Sequence, residues 1–353
     1  MQLTSAQLEA AAKKATAWLA SQLTPLGNYK GQQAPDANGV YPDTDDIGCY
    51  YKSIYTLRAT GQTAAAGRCM AYVVSRFRSP EGDYFNTPTV RSSGSYGPVF
   101  CQIYQNAWLM RGAASLQWIG LADSMLKFMN TQREPASGGY YTVVNSTTGI
   151  MDSNSIAVGA WSCLLGYQPK LAKKSCDFLL TLLKNQADDG ILWSRCRADG
   201  TLITDLSDVD PKNHRYVRVS ATEPQQAYWI WAWPMNSLIA MHELTGQKKY
   251  LRGAIKIFGF LKNCHANAFG FTTSGKNAWG AMKLFRITGE KKYLTKALLQ
   301  MQYILDHQHA DGYMLGEGIQ DESGQPRRTT FDFTADFASW LIDNAHEMAA
   351  RGL

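Results

Sequence analysis

The chain has 353 residues, of which 45% are hydrophobic, 12% aromatic and 18% charged. This composition excludes an intrinsically disordered chain, which would have few apolar residues and many charges. The formal charge of +6 is spread along the sequence without a basic run, so no nucleic-acid partner is expected. No stretch approaches the roughly 20 apolar residues of a membrane span, so no membrane partner is expected.

The cysteines and the first residues indicate the compartment. Seven cysteines without a Cys-x-x-Cys pair are typical of reduced thiols rather than of a disulfide framework or a zinc site. The first ten residues lack the basic and apolar regions of a secretory signal.

One segment comes close to a nucleotide-binding motif. Gly270–Asn277 nearly matches a phosphate-binding loop, but Asn277 stands where the magnesium-binding hydroxyl would be. The sequence therefore predicts a cytoplasmic protein with no metal site and no cofactor.

A unit of two helices recurs six times along the chain. Each copy has an amphipathic helix, a glycine-centred turn followed by an aromatic residue, a polar loop, and a second helix that is apolar on nearly every side. The turns are centred on Gly27, Gly82, Gly138, Gly190, Gly270 and Gly312. Clear examples of the second type of helix are Ile103–Leu116, Ser155–Leu165, Ala227–Met241 and Ala278–Phe285. Because a helix that is apolar all round is buried on all sides, the pattern predicts six outer and six inner helices.

The links between successive units predict how the helices are arranged. Three inner helices end in Thr-Gly, at Gly61, Gly246 and Gly289, where glycine suits a left-handed C-cap. Such a short link makes consecutive helices antiparallel neighbours. The first inner helix is predicted over Ile47–Ala59. The predicted fold is all-α, a single (α/α)6 toroid domain that covers residues 1–353.

Two segments carry a resemblance to a known superfamily. Leu244–Leu251 and Ile287–Leu294 share a Thr-Gly…Tyr-Leu pattern. This pattern resembles the hairpins of six-hairpin glycosidase-like enzymes, and the resemblance extends over almost the whole chain. It implies the toroid fold more directly than it implies a particular chemistry.

The topology also predicts where a ligand would bind. Every inner helix is entered from a long polar loop and left by a short link, so all six inner N-termini are expected at one rim. The longer loops are Asn28–Tyr41, Asn86–Val99, Arg195–Val219 and Gly316–Thr330. The candidate substrate-binding residues near these N-termini are Tyr41, Gln105, Asn106, Trp108, Gln226, Trp229, Lys276, Asn277, Trp279, Asp332 and Asp336. Aromatic faces and amides suit a hydroxyl-rich ligand, although Asp, Asn and Ser are also common helix caps.

The densest group of acids is Asp43-Thr44-Asp45-Asp46, just before the first inner helix. If these three carboxylates are partly buried, one is expected to hold its proton at neutral pH. A protonated carboxyl group can act as the general acid of a glycoside-cleaving enzyme. The second carboxylate is expected among Asp152, Glu223, Asp332 and Asp336. The favoured function is a hydrolase or lyase of a small-molecule or oligosaccharide substrate.

Two other functions remain open from the sequence. Asp43–Asp46 resembles the Asp-x-Asp-Asp motif of class II terpene cyclases, and Gln186–Trp193 is similar to their Gln-Trp repeat. That resemblance implies a cyclase or isomerase that uses the cluster as its acid. A non-catalytic ligand-binding toroid is the third alternative. Four arginines in the long loops are candidates to meet a substrate carboxylate: Arg215, Arg218, Arg327 and Arg328.

Overall fold

The computed structural model describes residues 3–88, 102–187 and 190–353, which form twelve α-helices and four short strands. The helices are α1 (Ser5–Gln22), α2 (Ser53–Ala59), α3 (Thr63–Phe77), α4 (Gln102–Ser115), α5 (Ile119–Thr131), α6 (Ser153–Leu165), α7 (Pro169–Lys184), α8 (Trp229–Thr245), α9 (Lys248–Asn263), α10 (Gly275–Thr288), α11 (Lys291–Asp306) and α12 (Arg327–Ala349). The strands are β1 (Met151–Asp152), β2 (Ile191–Trp193), β3 (Arg195–Cys196) and β4 (Arg218–Ser220). Residues 89–99 of one predicted long loop, and Asp188 and Asp189 of the Gln186–Trp193 motif, lie outside the described residues.

The odd-numbered helices have the amphipathic character predicted for outer helices. In α7, Phe178, Leu179 and Leu182 are buried, whereas Lys173 and Asp177 form an ion pair of 2.7 Å on the partly exposed side. The even-numbered helices are buried more completely: every residue of α6 from Ser153 to Cys163 is buried. The apolar periodicity therefore predicted both helix types correctly.

The chain packs as two compact units. Unit 1 comprises Met1–Ser92, Trp108–Ser124 and Leu298–Leu353, and unit 2 comprises Ser93–Ala107 and Met125–Ala297. In unit 2, α8 packs between α6 and α10, and α7 and α9 cover them. Two antiparallel strand pairs, β1 with β3 and β2 with β4, lie before the first turns of α6 and α8. The single-domain organisation stays a prediction.

Unit 1 joins the two ends of the chain. Helix α1 packs along α12, which also packs against α2. The Ser5 hydroxyl donates to the Leu353 carbonyl at 2.6 Å, and the rings of Tyr29 and Phe331 stack with centroids 4.1 Å apart. The last inner helix is therefore buried against the first outer helix.

The predicted glycine caps are present at the ends of two inner helices. Gly246 and Gly289 have φ of 69° and 75°, and their N–H groups donate to the carbonyls of His242 and Phe285. Gly270 differs from the other predicted turn glycines, because its φ is −159° rather than positive and it lies between two 3-10 turns.

The predicted helix Ile47–Ala59 was wrong at its start. Ile47–Cys49 forms a 3-10 turn, and the α-helix begins only at Ser53. The Cys49 N–H donates to the Asp46 carbonyl and the Tyr50 N–H to the Ile47 carbonyl, which are the i→i−3 bonds of a 3-10 turn. The sequence predicted the inner helix but not its delayed start.

Within the described ranges, no helix combines the length and the apolar character that crossing a bilayer requires.

Candidate functional site

The three aspartates before α2 are each held by donors from unit 1. The Asp43 carboxylate accepts from the backbone N–H groups of Gln32 and Gln33 at 2.7 and 3.3 Å. The Asp45 carboxylate accepts two hydrogen bonds from Arg76, of 3.0 and 2.6 Å. These contacts hold the loop and α3 in place.

The third aspartate, Asp46, accepts a hydrogen bond from the backbone and forms an ion pair with an arginine. Its Oδ1 accepts from the Gly48 N–H at 2.7 Å and lies 2.9 Å from Nε of Arg328. Arg328 is on the first turn of α12, which also carries Asp332 and Asp336. Those two carboxylates lie 2.9 and 3.0 Å from Nζ of Lys52. The structure thus pairs four of the predicted acids with cations of unit 1: Asp45 with Arg76, Asp46 with Arg328 of α12, and the two α12 aspartates with Lys52.

We call these aspartates and the cations that pair with them the acidic cluster. Its carboxylates are Asp43, Asp45, Asp46, Asp332 and Asp336, and its cations are Lys52, Arg76 and Arg328. The side chains of Lys52 and Asp336 are 7% and 6% exposed, and those of Asp46 and Asp332 are 28% and 19% exposed. Asp46 and Asp332 are therefore more accessible to solvent than Asp336 is.

Unit 2 gathers aromatic rings where the inner helices begin. The rings of Tyr104 on α4 and Trp229 on α8 have centroids 5.6 Å apart. One turn further along α8, Trp233 contacts Tyr104, Trp161 and Trp279 with centroid distances of 6.3, 5.5 and 6.3 Å. The Ser153 hydroxyl at the start of α6 donates to the Ile230 carbonyl at 3.3 Å, so the first turns of α6 and α8 are adjacent.

Amide side chains accompany these rings, and several of their atoms have no hydrogen-bond partner among the described residues. Asn154, in the first turn of α6, is 1% exposed and lacks a partner for both Oδ1 and Nδ2. Oε1 of Gln105 and Oδ1 of Asn277 are also buried and have no hydrogen-bond partner in the part of the chain that the structure describes. Leaving such an atom buried and unpaired costs about 1–3 kcal/mol. We give the name aromatic–amide cluster to the rings and amides that the first two turns of the inner helices of unit 2 carry: Tyr104, Gln105, Asn154, Trp229, Trp233, Asn277 and Trp279.

The other two predicted acids of unit 2 occupy different environments. Asp152 is 1% exposed and caps α6, where its carboxylate accepts from the N–H and hydroxyl of Ser155 at 2.8 and 2.6 Å. Burial raises its pKa, and the Ser155 hydrogen bonds oppose that rise. Glu223 is exposed and lies 3.0 Å from Arg218. Asp152 is thus placed to orient the first turn of α6, which contains Asn154.

The remaining predicted residues are mostly packed into helix contacts. Trp108 belongs to unit 1, where its ring lies 5.6 Å from Trp340 and 6.2 Å from Tyr55. Asn106 and Lys276 are buried, and Tyr41 is half-buried before a 3-10 turn. Gln226 is buried and accepts from the Ser220 N–H at 3.3 Å.

The four arginines proposed for a substrate carboxylate have partners within the protein. Arg218 pairs with Glu223, and Arg215 donates to the Tyr216 hydroxyl at 3.0 Å. Arg327 pairs with Glu322 and donates to Oε1 of Gln22 at 2.6 Å, and Arg328 faces Asp46.

Sequence reasoning missed Trp161, Trp233 and Lys52. Trp233 follows Trp229 by four residues, and this spacing places both rings on one helical face, so the signal was available. Nothing in the sequence separates Lys52 from the surface lysines, because its burial depends on α12. No group of three or more His, Cys, Asp or Glu side chains that could hold a metal occurs within the described part of the chain.

No protein-family model matches the sequence, and a search of curated proteins finds no match. Solved structures do match. A D-mannose isomerase superposes with a TM-score of 0.66 at 15% identity, over 99% of this chain and 98% of that one. A family 76 α-mannanase from Bacteroides thetaiotaomicron gives 0.64 at 14% identity over 97% of both chains. An unsaturated glucuronyl hydrolase specific for heparin gives 0.63 at 12% identity, over 98% of this chain and 97% of that one.

These likenesses extend over nearly the whole chain, at identities where they are evidence for the fold alone. The chain has the six-hairpin (α/α)6-toroid fold, and the fold class predicted from the repeat is confirmed.

Proposed function

We propose that this chain is a carbohydrate-active enzyme, a hydrolase or lyase, and that the aromatic–amide cluster binds its sugar. The observation that carries the proposal is Asn154, a buried amide with two unpaired polar atoms among the described residues. A sugar hydroxyl both donates and accepts, so it can satisfy Oδ1 and Nδ2 of such an amide. A nonpolar terpene would leave these atoms unsatisfied, and this disfavours the cyclase alternative.

The structural neighbours support a sugar substrate. They are a D-mannose isomerase, an α-mannanase and an unsaturated glucuronyl hydrolase, and a further mannanase structure holds α-1,6-mannotetrose. All of these proteins act on sugars, although their reactions differ. Mannose and α-1,6-linked mannose oligosaccharides are therefore the first substrates to test.

We further propose that the catalytic acid belongs to the acidic cluster, as the sequence predicted. Asp46 and Asp332 are the favoured candidates, because their carboxylates are partly exposed and because Asp46 pairs with Arg328 of the helix that carries Asp332. Asp152 is proposed as a positioning residue for Asn154, because its carboxylate is buried and engaged by Ser155.

The binding proposal is tested by Asn154→Ala against Asn236→Ala. Nδ2 of Asn236 donates to the carbonyls of Ala232 and Lys276 at 2.9 and 3.0 Å, so this asparagine joins α8 to α10. We expect Asn154→Ala to raise the Kd for α-1,6-mannotetrose by about tenfold or more without lowering Tm. Asn236→Ala is expected to lower Tm. If Asn154→Ala lowers Tm and leaves Kd unchanged, this amide is a structural residue and the proposed binding site is wrong.

The aromatic part of the site is tested by Trp279→Ala, with Trp118→Ala as the control. Trp279 is 6% exposed beside Trp233, whereas Trp118 is 38% exposed at the start of the α5 hairpin. Trp279→Ala is expected to weaken sugar binding more than it lowers Tm, and Trp229→Ala is expected to do the same. Equal losses of binding and fold would assign these indoles to the core.

The reaction type is tested by the products formed from mannose and α-1,6-mannotetrose. New reducing ends detected by NMR would establish hydrolysis, and an unsaturated product from a uronate-containing oligosaccharide would establish a lyase. Conversion of mannose to a ketose would show that the enzyme is an isomerase and neither a hydrolase nor a lyase. Binding without turnover of any substrate would favour the non-catalytic alternative.

We propose a reducing compartment, the cytoplasm, for this protein. Six cysteines among the described residues are free and buried: Cys49, Cys69, Cys163, Cys176, Cys196 and Cys264. Burial raises the pKa of the Cys69 thiol, which disfavours the reactive thiolate.

A further inference from the structure

A cavity of about 220 Å³ in unit 2 lies beside residues 142–150, which precede β1. It is lined by Thr142, Val143, Asn145, Ser146, Thr147, Thr148, Ile150, Arg195 and Asp208. Three of these residues are threonines and one is a serine, so hydroxyl groups dominate the polar part of the wall. One guanidinium, that of Arg195, also faces the cavity.

Arg195 is buried, and its guanidinium is hydrogen-bonded to a carboxylate from a surface loop. Nη1 and Nη2 donate to the two carboxylate oxygens of Asp208 at 2.9 and 2.7 Å, which is the bidentate geometry that arginine makes with carboxylates. The two side chains differ in burial: Arg195 is 3% exposed and Asp208 is 50% exposed. The cation is fixed inside the unit, and its partner is at the surface.

The backbone around the two residues accounts for this difference. Arg195 is in β3, where it pairs with Asp152 of β1, so its position is set by the strands that precede α6. Asp208 lies in the segment between β3 and β4, at a turn closed by the Val209 N–H on the Leu206 carbonyl. Val209 anchors this turn, being 4% exposed, so release of the pair needs only rotation of the half-exposed Asp208 side chain. The Asp208 carboxylate can therefore leave the guanidinium without disturbing Arg195.

We propose that this cavity binds a short hydroxylated carboxylate, such as a small sugar acid, and that the Asp208 side chain occupies the place of the ligand carboxylate. The ligand carboxylate would take the two guanidinium N–H groups, and its hydroxyls would meet Ser146, Thr147 and Thr148. Asp208 is tethered, so its effective concentration is about millimolar or higher, and a ligand must compete with it. This proposal does not rest on the proposed sugar-processing reaction, although Arg195 pairs along the strands with Asp152.

The test compares two three-carbon acids, D-glycerate and propionate, which differ in their hydroxyl groups. We expect Asp208→Ala to bind D-glycerate about tenfold more tightly than the unsubstituted protein does, because the competing carboxylate is removed. The same variant is expected to prefer D-glycerate over propionate by about tenfold. Binding is measured by calorimetry, with Tm recorded at each ligand concentration.

Two further variants sharpen the result. Asp210→Ala is the matched control, because Asp210 lies in the same segment but pairs with the exposed Lys212 at 2.9 Å. It should bind D-glycerate as the unsubstituted protein does. Thr147→Val, combined with Asp208→Ala, should reduce the preference for D-glycerate over propionate.

Each alternative outcome overturns the proposal. Equal affinities of Asp208→Ala for D-glycerate and propionate would mean that any carboxylate merely neutralises Arg195. An unchanged affinity for D-glycerate, or the same gain in Asp210→Ala, would mean that Asp208 does not occupy a ligand site. If Asp208→Ala does not fold, Asp208→Asn replaces it, and failure of both variants to fold would make the pair structural.

Discussion

The acidic cluster of unit 1 and the aromatic–amide cluster of unit 2 differ in how their polar side chains are paired. In the acidic cluster of unit 1, every carboxylate has a cation or a backbone donor, as Asp45 has Arg76 and Asp336 has Lys52. In the aromatic–amide cluster of unit 2, Asn154 and Gln105 keep polar atoms without a partner among the described residues. Paired groups hold a fold together, whereas unpaired buried groups carry a cost that a ligand can remove. A dense acidic run in the sequence therefore does not by itself mark the polar groups that lack a partner within the protein.

The largest effect is expected from removal of Phe331–Leu353. This truncation deletes most of α12 and exposes the faces of α1 and α2 that it covers. We expect the truncated protein to lose cooperative thermal unfolding, as measured by circular dichroism. A soluble truncated protein with a sharp melting transition would show that unit 1 does not depend on its last helix.

Lys52→Met tests whether the acidic cluster is held by charge pairing. The substitution leaves Asp332 and Asp336 without this buried cation, and breaking a buried pair in this way costs about 3–5 kcal/mol. The free energy of unfolding in urea is the measurement, and Lys212→Met, at an exposed pair, is the control. Restoration of stability by adding Asp332→Asn and Asp336→Asn would confirm the cause. A change as small as that in the control would contradict it.

Asp46→Asn tests whether the same cluster also provides catalysis. Asparagine keeps the shape and can still cap the Gly48 N–H, but it removes the titrating proton. If Asp46 is the acid, turnover should fall by about 10²–10⁴. Asp43→Asn is the comparison, because Asp43 is engaged by two backbone N–H groups, and it should retain more activity. Unchanged turnover in Asp46→Asn would mean that this aspartate is structural and that Asp332 is the remaining candidate for the acid.

The smallest effect concerns a feature that both units share. Gln117 in unit 1 and Tyr167 in unit 2 occupy short helix links with φ of 62° and 55°, where other links have glycine. A left-handed residue other than glycine costs roughly 1 kcal/mol. Tyr167→Gly and Gln117→Gly should each stabilise the protein by about that amount, as measured in urea.

The control for these links is Gly246→Ala. Gly246 has φ of 69°, and an added Cβ would meet no atom within 4 Å, so the substitution tests backbone strain alone. It should destabilise the protein by a similar amount. Stabilisation by alanine at this position would contradict the assignment of strain to the left-handed links.

The sequence by itself determined the fold class and the regular parts of each unit. The apolar period separated α6, buried on all sides, from α7, buried on one side, because burial leaves a direct mark on side-chain chemistry. The Thr-Gly links marked the ends of α8 and α10, because glycine is the residue that adopts positive φ without strain.

The tertiary structure decided which polar residues are partners. The pairing of Lys52 with Asp332 joins residues that are 280 positions apart, and no local pattern encodes such a contact. Asp43, Asp45 and Asp46 have the composition of an acidic catalytic group, yet only the packing of α3 and α12 shows that Arg76 and Arg328 face two of them. Likewise, the sequence placed Asn154 at a helix start, but only burial together with the absence of a described partner distinguishes it from an ordinary cap. Helix periodicity is a local property of the chain, whereas the satisfaction of a buried charge or amide depends on what the rest of the fold brings to it.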